Sequence, residues 1–313
     1  MKNQLVGNSR ENNITLLGAQ GPTVFFHNLN FTSTRKWVDD PSFQFYSLLT
    51  TTSIPKVFVA MFNFVRRQRD DYVKTVLTAY IRGYLNAYTL ARNLQPYIYY
   101  FGGFDNSNEF GSVFTLNRLY LQTRVDILYE QAINERTAIK NIVHVAPEEL
   151  MLISDMFYNV AIDVYSLGDI SKKTFSDAYY KMRKKLGSFA LGSTSSKKML
   201  SDDFEPTIFT ALARAKRVEN TDAYDFLNLR EKTWKHPVSG FEINFNFMTL
   251  VEEAKEEIPF INTILKKFAQ NIYVEKEITD FCMGINYKGV PLKQAPTYCN
   301  VIFEEKPNGS FIY

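Results

Sequence analysis

The chain has few of the residues on which most enzyme sites and extracellular folds depend. It contains two cysteines, Cys282 and Cys299, and three histidines in 313 residues. Two cysteines argue against a multi-disulfide framework or a cysteine-rich metal cluster, and they are typical of a reducing compartment. The histidines, His27, His144 and His236, show neither metal-ligand nor triad spacing. We therefore predict no metal and no cofactor.

Long apolar runs and catalytic motifs are also missing. No stretch reaches the roughly 18 apolar residues that a membrane-spanning helix needs. The first 13 residues are polar and lack the apolar core of a signal peptide. The sequence has no nucleophile elbow, no phosphate-binding glycine loop and no dinucleotide fingerprint. These absences favour a non-enzymatic protein that lies inside the cell and makes no membrane contact.

Aromatic residues, in contrast, are abundant. They make up 15% of the chain, with 26 Phe and 19 Tyr but only 2 Trp. Aromatic side chains supply large contact areas at a low cost in side-chain entropy, so extensive interfaces use them. A genome rich in A and T gives the same bias, because its codons favour Phe and Tyr. Composition leaves both explanations open.

The longest helical pattern covers about residues 71–94, and we predict a fold built around it. Apolar residues occupy most of its circumference, as is typical of a buried helix. On one face Gly83 lies four residues from both Ala79 and Ala87, so we expect a second helix to approach closely there. Pro96 is expected to end the helix.

The predicted fold class is mainly α, with minor β-strands near both termini. We expect a flexible N-terminal arm at residues 1–13, then a single helical domain at 14–313, with a candidate mobile loop at 188–203. Residues 27–52 are predicted to be a loop. Further helices are predicted after Ser53 and at 116–133, 147–168, 174–186 (closed by Gly187), 206–218, 222–232 and 250–271 (interrupted at Pro259). Short strands are predicted at 14–17, 23–26, 97–101, 241–247, 284–290, 298–303 and 310–313.

One segment has a charge that the whole chain lacks. The net charge of the chain is only +3, yet residues 172–217 contain eleven basic and four acidic residues, a net charge of +7. Lysines on a helix and on a Ser-rich loop suit contact with phosphates without reading of bases. An ordinary solvated basic face is the alternative. The candidate nucleic-acid-binding residues are Lys181, Arg183, Lys184, Lys185, Lys197 and Lys198.

A second stretch resembles two protein-kinase motifs. His144-Val-Ala-Pro-Glu148 is similar to the kinase Ala-Pro-Glu motif, and Asp163-Val-Tyr-Ser-Leu-Gly168 is similar to the Asp-x-Trp-Ser-x-Gly motif that follows it. The catalytic His-Arg-Asp loop and the magnesium-binding Asp-Phe-Gly motif have no counterpart. The match covers about 25 residues, so it implies at most a degenerate kinase-like protein. A helix begun by Pro147 explains the same residues.

The whole chain resembles the small capsid proteins of bisegmented double-stranded RNA viruses, of the partitivirus and cryspovirus type. The resemblance lies in the Tyr-rich helix 71–94, the aromatic helix 116–133, the stretch 147–168, the polar arm and the A/T-rich composition. It implies dimers as building blocks, an icosahedral shell, and enclosed RNA with the viral polymerase, in the virion or host cytoplasm. A nucleoprotein-like RNA-binding protein and a degenerate kinase-like protein are the alternatives.

Overall fold

The computed structural model describes residues 9–29, 40–104, 113–134, 144–189, 208–212, 218–220, 224–292 and 294–302. In these residues the chain is mainly helical, as predicted. The helices are α1 (Ser9–Gly18), α2 (Thr23–Phe26), α3 (Pro41–Thr51), α4 (Ile54–Arg66), α5 (Asp71–Gly102), α6 (Val113–Ala132), α7 (Pro147–Tyr165), α8 (Thr174–Phe189), α9 (Ile208–Ala211), α10 (Phe247–Glu256), α11 (Ile258–Ala269) and α12 (Glu275–Cys282). The strands are β1 (Trp234–Lys235) and β2 (Glu242–Ile243).

The long helix α5 is present and is longer than predicted. It begins where the Asp70 side chain accepts a hydrogen bond from the Tyr72 N–H at 2.7 Å, and it continues to Gly102. The prediction that Pro96 ends the helix is wrong, and so is the strand predicted at 97–101. Pro96 leaves the Arg92 carbonyl without an intrahelical donor, but the main chain of Gly289 packs against that carbonyl and the proline ring. Tertiary packing here offsets the cost of a proline inside a helix.

The expected close approach at Gly83 is confirmed, and the neighbouring helix is α1. A Cβ atom added to Gly83 would lie 1.9 Å from the Thr15 carbonyl oxygen, and one added to Gly18 would lie 2.1 Å from the Tyr80 carbonyl oxygen. The two backbones therefore touch, as only glycines allow. Thr15 Oγ1 also donates to the Ala79 carbonyl across the contact at 3.2 Å.

The N-terminal region is helical where a flexible arm and short strands were predicted. Residues 14–17, predicted as a strand, lie in α1, and so does 9–13, the end of the predicted flexible arm. Residues 1–8 lie outside the described residues. The predicted strand at 23–26 is helix α2, and most of the predicted loop 27–52 that is described is helix α3. The short apolar runs at 14–17 and 23–26 suit either structure, and their packing on α5 and on α8, respectively, favours the helix. Helix α3 begins where the Asp40 side chain accepts from the N–H groups of Ser42 and Phe43.

The C-terminal half differs from the sequence expectation in other ways. The described residues 224–232 form turns rather than a helix, α9 is shorter than the predicted 206–218, and Gly187 lies inside α8. Residues 294–302 contain no strand, whereas α12 was not predicted. The loop predicted at 188–203 and the strand predicted at 310–313 fall largely or wholly outside the described residues.

Two large apolar cores lie along α5. The first surrounds residues 76–88 of α5 with side chains from α1, α4, α7, α8 and α12. The second surrounds residues 97–100 with side chains from α6, α10 and Trp234 of β1. A smaller cluster joins α2, α3 and α9. Because α5 supplies side chains to both large cores, it is the central element of the domain, as the sequence predicted.

Among the described residues, no single helix is long and apolar enough to cross a membrane. Helices α3 and α4 reach that length and hydrophobicity only when taken together, and they are bent by 106° at their junction.

Candidate functional site

Two of the candidate nucleic-acid-binding lysines bind the protein's own main chain. Lys185 Nζ donates to the carbonyl oxygens of His27 at 2.9 Å and Leu29 at 2.6 Å, just beyond the end of α2. Lys181 Nζ donates to the Asn28 side-chain oxygen at 2.6 Å. A cation beside the last carbonyls of a helix is favourable. These two lysines therefore join α8 to the segment that follows α2.

Burial changes the electrostatics of this contact. Desolvation, together with the nearby charge of Lys181, lowers the pKa of Lys185 to about 8. Desolvation, with a smaller contribution from Lys185, lowers the pKa of His27 to about 3. His27 is therefore neutral at physiological pH, and its neutral form is compatible with the adjacent ammonium group.

Of the other four candidate nucleic-acid-binding residues, two are described by the structure and two lie outside the described residues. Arg183 lies 3.1 Å from the His144 ring nitrogen, and its guanidinium lies 5.8 Å from the centroid of the Tyr179 ring. Lys184 is exposed on α8. Lys197 and Lys198 lie outside the described residues. RNA contact by this segment stays a prediction.

The kinase-like stretch is one helix with its own structural contacts. Pro147 is the first residue of α7, and the Ala146 N–H donates to the Glu149 carboxylate at 2.7 Å. The Glu149 side chain is only 1% exposed and also binds Arg10 of α1. Asp163, near the end of the helix, pairs with Arg67 at 3.6 Å. These contacts support the alternative of a Pro-initiated helix, and nucleotide binding stays a prediction.

A surface groove of about 310 Å³ lies between α4, α7 and α12. Its polar lining includes Lys56, Arg67, Asp163 and Glu275, so both signs of charge are present. The Arg67–Asp163 ion pair lies within it. The groove therefore has no single electrostatic preference that would identify a ligand. Across the described ranges, no group of three or more His, Cys, Asp or Glu side chains could hold a metal ion.

The β1–β2 hairpin has one buried aromatic side chain and several exposed ones. Trp234 of β1 is buried in the second core, and its indole N–H donates to the Phe245 carbonyl at 2.9 Å. Phe241, just before β2, and Phe245, two residues after it, are 75% and 45% exposed. Tyr298, 42% exposed, packs against Gly240 in the turn, and its N–H donates to the Pro237 carbonyl at 2.9 Å.

Leu229 adds a further exposed apolar side chain near the hairpin. It is 53% exposed, and its neighbour Asn228 donates to the carbonyl of Phe245 at 3.4 Å. Exposed apolar side chains that occur singly are normal, but a group of them indicates a contact surface. We call this group, Leu229, Phe241, Phe245 and Tyr298, the hairpin patch. The sequence does not reveal this group. Of the strand predicted at 241–247, only Glu242–Ile243 forms a strand, and Phe247 begins α10.

No protein-family model matches the chain, and comparisons with curated proteins and with solved structures give no significant match.

Proposed function

We propose that the chain is a structural protein that associates with copies of itself and builds a capsid-type shell around an RNA genome. The observation that carries the proposal is the hairpin patch, where Phe241 and Leu229 are each more than half exposed. The second core fixes the hairpin from beneath through Trp234, so the patch is presented on a rigid support. Rigid exposed aromatic side chains are what protein interfaces use as anchors.

The resemblance to capsid proteins of small double-stranded RNA viruses supplies the specific form of the assembly. Such a subunit needs no active site, because its function lies in its contacts with other subunits. The aromatic composition fits this role, since aromatic side chains provide large interface areas. The shell and its RNA content are proposals that rest on this resemblance.

Electron microscopy of the purified full-length chain tests the proposal. We expect uniform spherical particles, and we expect RNA inside them that resists nuclease. A strict monomer of 36.3 kDa at high concentration would overturn the proposal. Particles without protected RNA would retain self-assembly and remove the genome-enclosing role.

A further inference from the structure

We infer that two copies of the chain pair through the open edge of β2. The two β2 strands run antiparallel about a two-fold axis at Ile243 and form a four-stranded sheet in the order β1–β2–β2–β1. The inference rests on the proposed self-association and specifies its surface and register. An interface of this kind is self-complementary, as two-fold symmetry requires.

The main chain of β2 has one edge occupied and one edge open. The His236 N–H donates to the Phe241 carbonyl at 2.8 Å, and Ile243 is paired with Trp234. In an antiparallel ladder the main-chain groups of alternate residues face opposite sides. The N–H and C=O groups of Glu242 and Asn244 therefore face away from β1. Both residues are exposed, and within the described part of the chain no main-chain bond occupies that edge.

The register with the two-fold axis at Ile243 suits this open edge best. An axis at Glu242 would place two Glu242 carboxylates directly opposite each other, and an axis at Asn244 would pair Glu242 with Asn246, whose side chain caps α10. With Ile243 opposite Ile243 of the second copy, Glu242 lies opposite Asn244 of that copy, and the reverse pair follows by symmetry. Glu242 and Asn244 carry the outward-facing groups, so each such pair exchanges two main-chain hydrogen bonds. The Ile243 pair between them is then a non-hydrogen-bonded pair, as the alternation of an antiparallel ladder requires.

The polar side chains are complementary in this register. Glu242 pairs with Lys235 on β1 at 3.8 Å. Thr233 Oγ1 donates to the Asn244 side-chain oxygen at 2.8 Å, which leaves the Asn244 amide N–H groups to donate elsewhere. Opposite Glu242, that amide would donate to the carboxylate. Across the four strands of the joint sheet, Lys235 and Glu242 of one copy are then followed by Asn244 and Thr233 of the other. No two side chains of like charge are adjacent in this order.

The apolar side chains match as well. Alternation places Phe241, Ile243 and Phe245 on the same face of β2. In the two-fold register Phe241 lies opposite Phe245 of the second copy, on both sides of the Ile243 pair. Directly opposed aromatic side chains are favourable cross-strand pairs. Pairing would thus cover both phenylalanines of the hairpin patch and close an exposed strand edge that would otherwise attract other strands.

Disulfide trapping tests the register. In a Cys299→Ser background, which removes the exposed native thiol, we expect Ile243→Cys to give mostly cross-linked dimers under mild oxidation. Glu242→Cys is the matched control. Its symmetry mate would be roughly 8 Å away, from a rise of about 3.4 Å per residue and a strand spacing of about 4.8 Å. That separation is too large for a disulfide, so this control stays uncross-linked.

A proline substitution tests the main-chain contact. Asn244→Pro removes an N–H that has no hydrogen-bond partner among the described residues, so the chain should still fold, and Asn244→Ala keeps that N–H as the control. We expect Asn244→Pro to weaken association at least about tenfold relative to Asn244→Ala, because each dimer loses two hydrogen bonds. Association is measured by sedimentation of variants whose melting transitions match wild type.

The outcomes separate this inference from the proposed function. Particles that form without an Ile243→Cys cross-link, or that form equally with Asn244→Pro, would overturn the β2 pairing and leave self-assembly standing. A wild-type chain that stays monomeric would overturn both. Cross-linking of Ile243→Cys but not of Glu242→Cys, with weakened association of Asn244→Pro, supports the inference.

Discussion

The two ends of α5 support different parts of the molecule. Residues 76–88 lie in the first core, where helices enclose them and Tyr80, Tyr84 and Tyr88 are fully buried. Residues 97–100 lie in the second core, which supports a hairpin whose β1 side is buried and whose β2 side carries exposed Phe241. The first end of the helix is thus enclosed by other helices, whereas the second end lies beneath the hairpin that carries the hairpin patch. The comparison suggests that stability depends mainly on the first end and assembly on the second.

At each end of α5, one buried tyrosine hydroxyl holds a distant main-chain segment in place. At the first end, the Tyr88 hydroxyl donates toward the carbonyls of Cys282 and Ile285, at 3.0 and 2.8 Å, and so helps to fix the chain after α12. At the second end, the Tyr97 hydroxyl donates to the Phe226 carbonyl at 2.8 Å. Burial raises the pKa of both hydroxyls, so they remain hydrogen-bond donors. Both ends therefore hold irregular C-terminal segments against α5.

The largest effect should come from the contact between α1 and α5. Gly83→Leu would place a side chain where even a Cβ atom lies 1.9 Å from the Thr15 carbonyl, so we expect no soluble folded protein. Gly168→Leu is the control, because nothing lies within 4 Å of a Cβ atom there. Expression, circular dichroism and thermal melting check both variants. A folded Gly83→Leu protein would show that α1 does not pack closely on α5.

The next largest loss of stability is expected at Arg92, which lies on α5 between the two cores. Arg92 is 5% exposed and pairs with Glu257, and its guanidinium also lies over the Phe281 ring. Arg92→Leu removes one member of a buried ion pair, which typically costs about 3–5 kcal/mol. Because Glu257 keeps 27% of its surface in solvent, we expect about 2–3 kcal/mol here.

Chemical denaturation measures this change in the free energy of unfolding. Lys255→Leu, which breaks a more exposed pair with Glu252, is the comparison and should cost under about 1 kcal/mol. Equal losses in the two variants would argue against a special role for Arg92.

Tyr97→Phe probes the second end with a smaller change. It removes the hydroxyl that donates to the Phe226 carbonyl and leaves that buried acceptor without this donor. We expect a loss of about 1–2 kcal/mol in the free energy of unfolding. Tyr273→Phe, at a site that is 74% exposed, should change it by less than about 0.5 kcal/mol. A neutral Tyr97→Phe would show that the bond adds nothing to the stability of the second core.

The buried His27 should make the fold sensitive to acid. Its pKa is about 3 in the folded chain and 6.5 as an ordinary value, so between these limits the unfolded chain binds the proton and the folded chain does not. Stability should therefore fall as the pH decreases from 6.5, by up to about 1.4 kcal/mol per pH unit from this group.

Denaturation curves at several pH values test that dependence. His27→Gln should flatten the loss of stability between pH 6.5 and 4, whereas His144→Gln at an exposed position should leave its slope as in wild type. Identical slopes in all three proteins would contradict the assignment to His27.

The smallest effect on stability is expected in the basic segment. We consider a triple substitution of Lys184, Lys197 and Lys198 by Gln. The change at Lys184, which is exposed on α8, should alter the free energy of unfolding by less than about 0.5 kcal/mol. If the segment contacts phosphates, RNA affinity should fall and its salt dependence should become shallower by about one unit per lost contact. An unchanged salt slope in filter-binding or fluorescence titrations would rule out contact through these three lysines.

Sequence periodicity predicted the long regular helices but not how short segments fold. α4, α6, α7 and α5 up to Pro96 follow from apolar spacing and helix-start residues. Residues 14–17 and 23–26 were predicted as strands because a short apolar run fits either structure. Their helical state depends on distant partners, α5 for residues 14–17 and α8 for residues 23–26. The small size of Gly83 was visible in the sequence, but the identity of its neighbour α1 was not.

The candidate site was harder to predict for a similar reason. The charge count identified a basic segment, but it could not show that Lys181 binds the Asn28 side chain and that Lys185 binds main-chain oxygens near α2. The alternation in residues 241–247 indicated a strand, but the exposure of Phe241 depends on how far the second core covers its face of the hairpin. Contacts between residues far apart in sequence decide both the hydrogen bonding of these lysines and the exposure of Phe241.

Sedimentation equilibrium of the full-length chain tests the central claim, that the second end of α5 supports a surface for self-association, most directly. We predict that wild type exceeds the 36.3 kDa monomer mass as concentration rises. The variant Phe241→Ser/Phe245→Ser should remain at that mass with an unchanged melting transition, whereas Met151→Gln, at an exposed site on α7, should behave as wild type. Wild type that stays at 36.3 kDa, or a double variant that associates as wild type does, would contradict the claim.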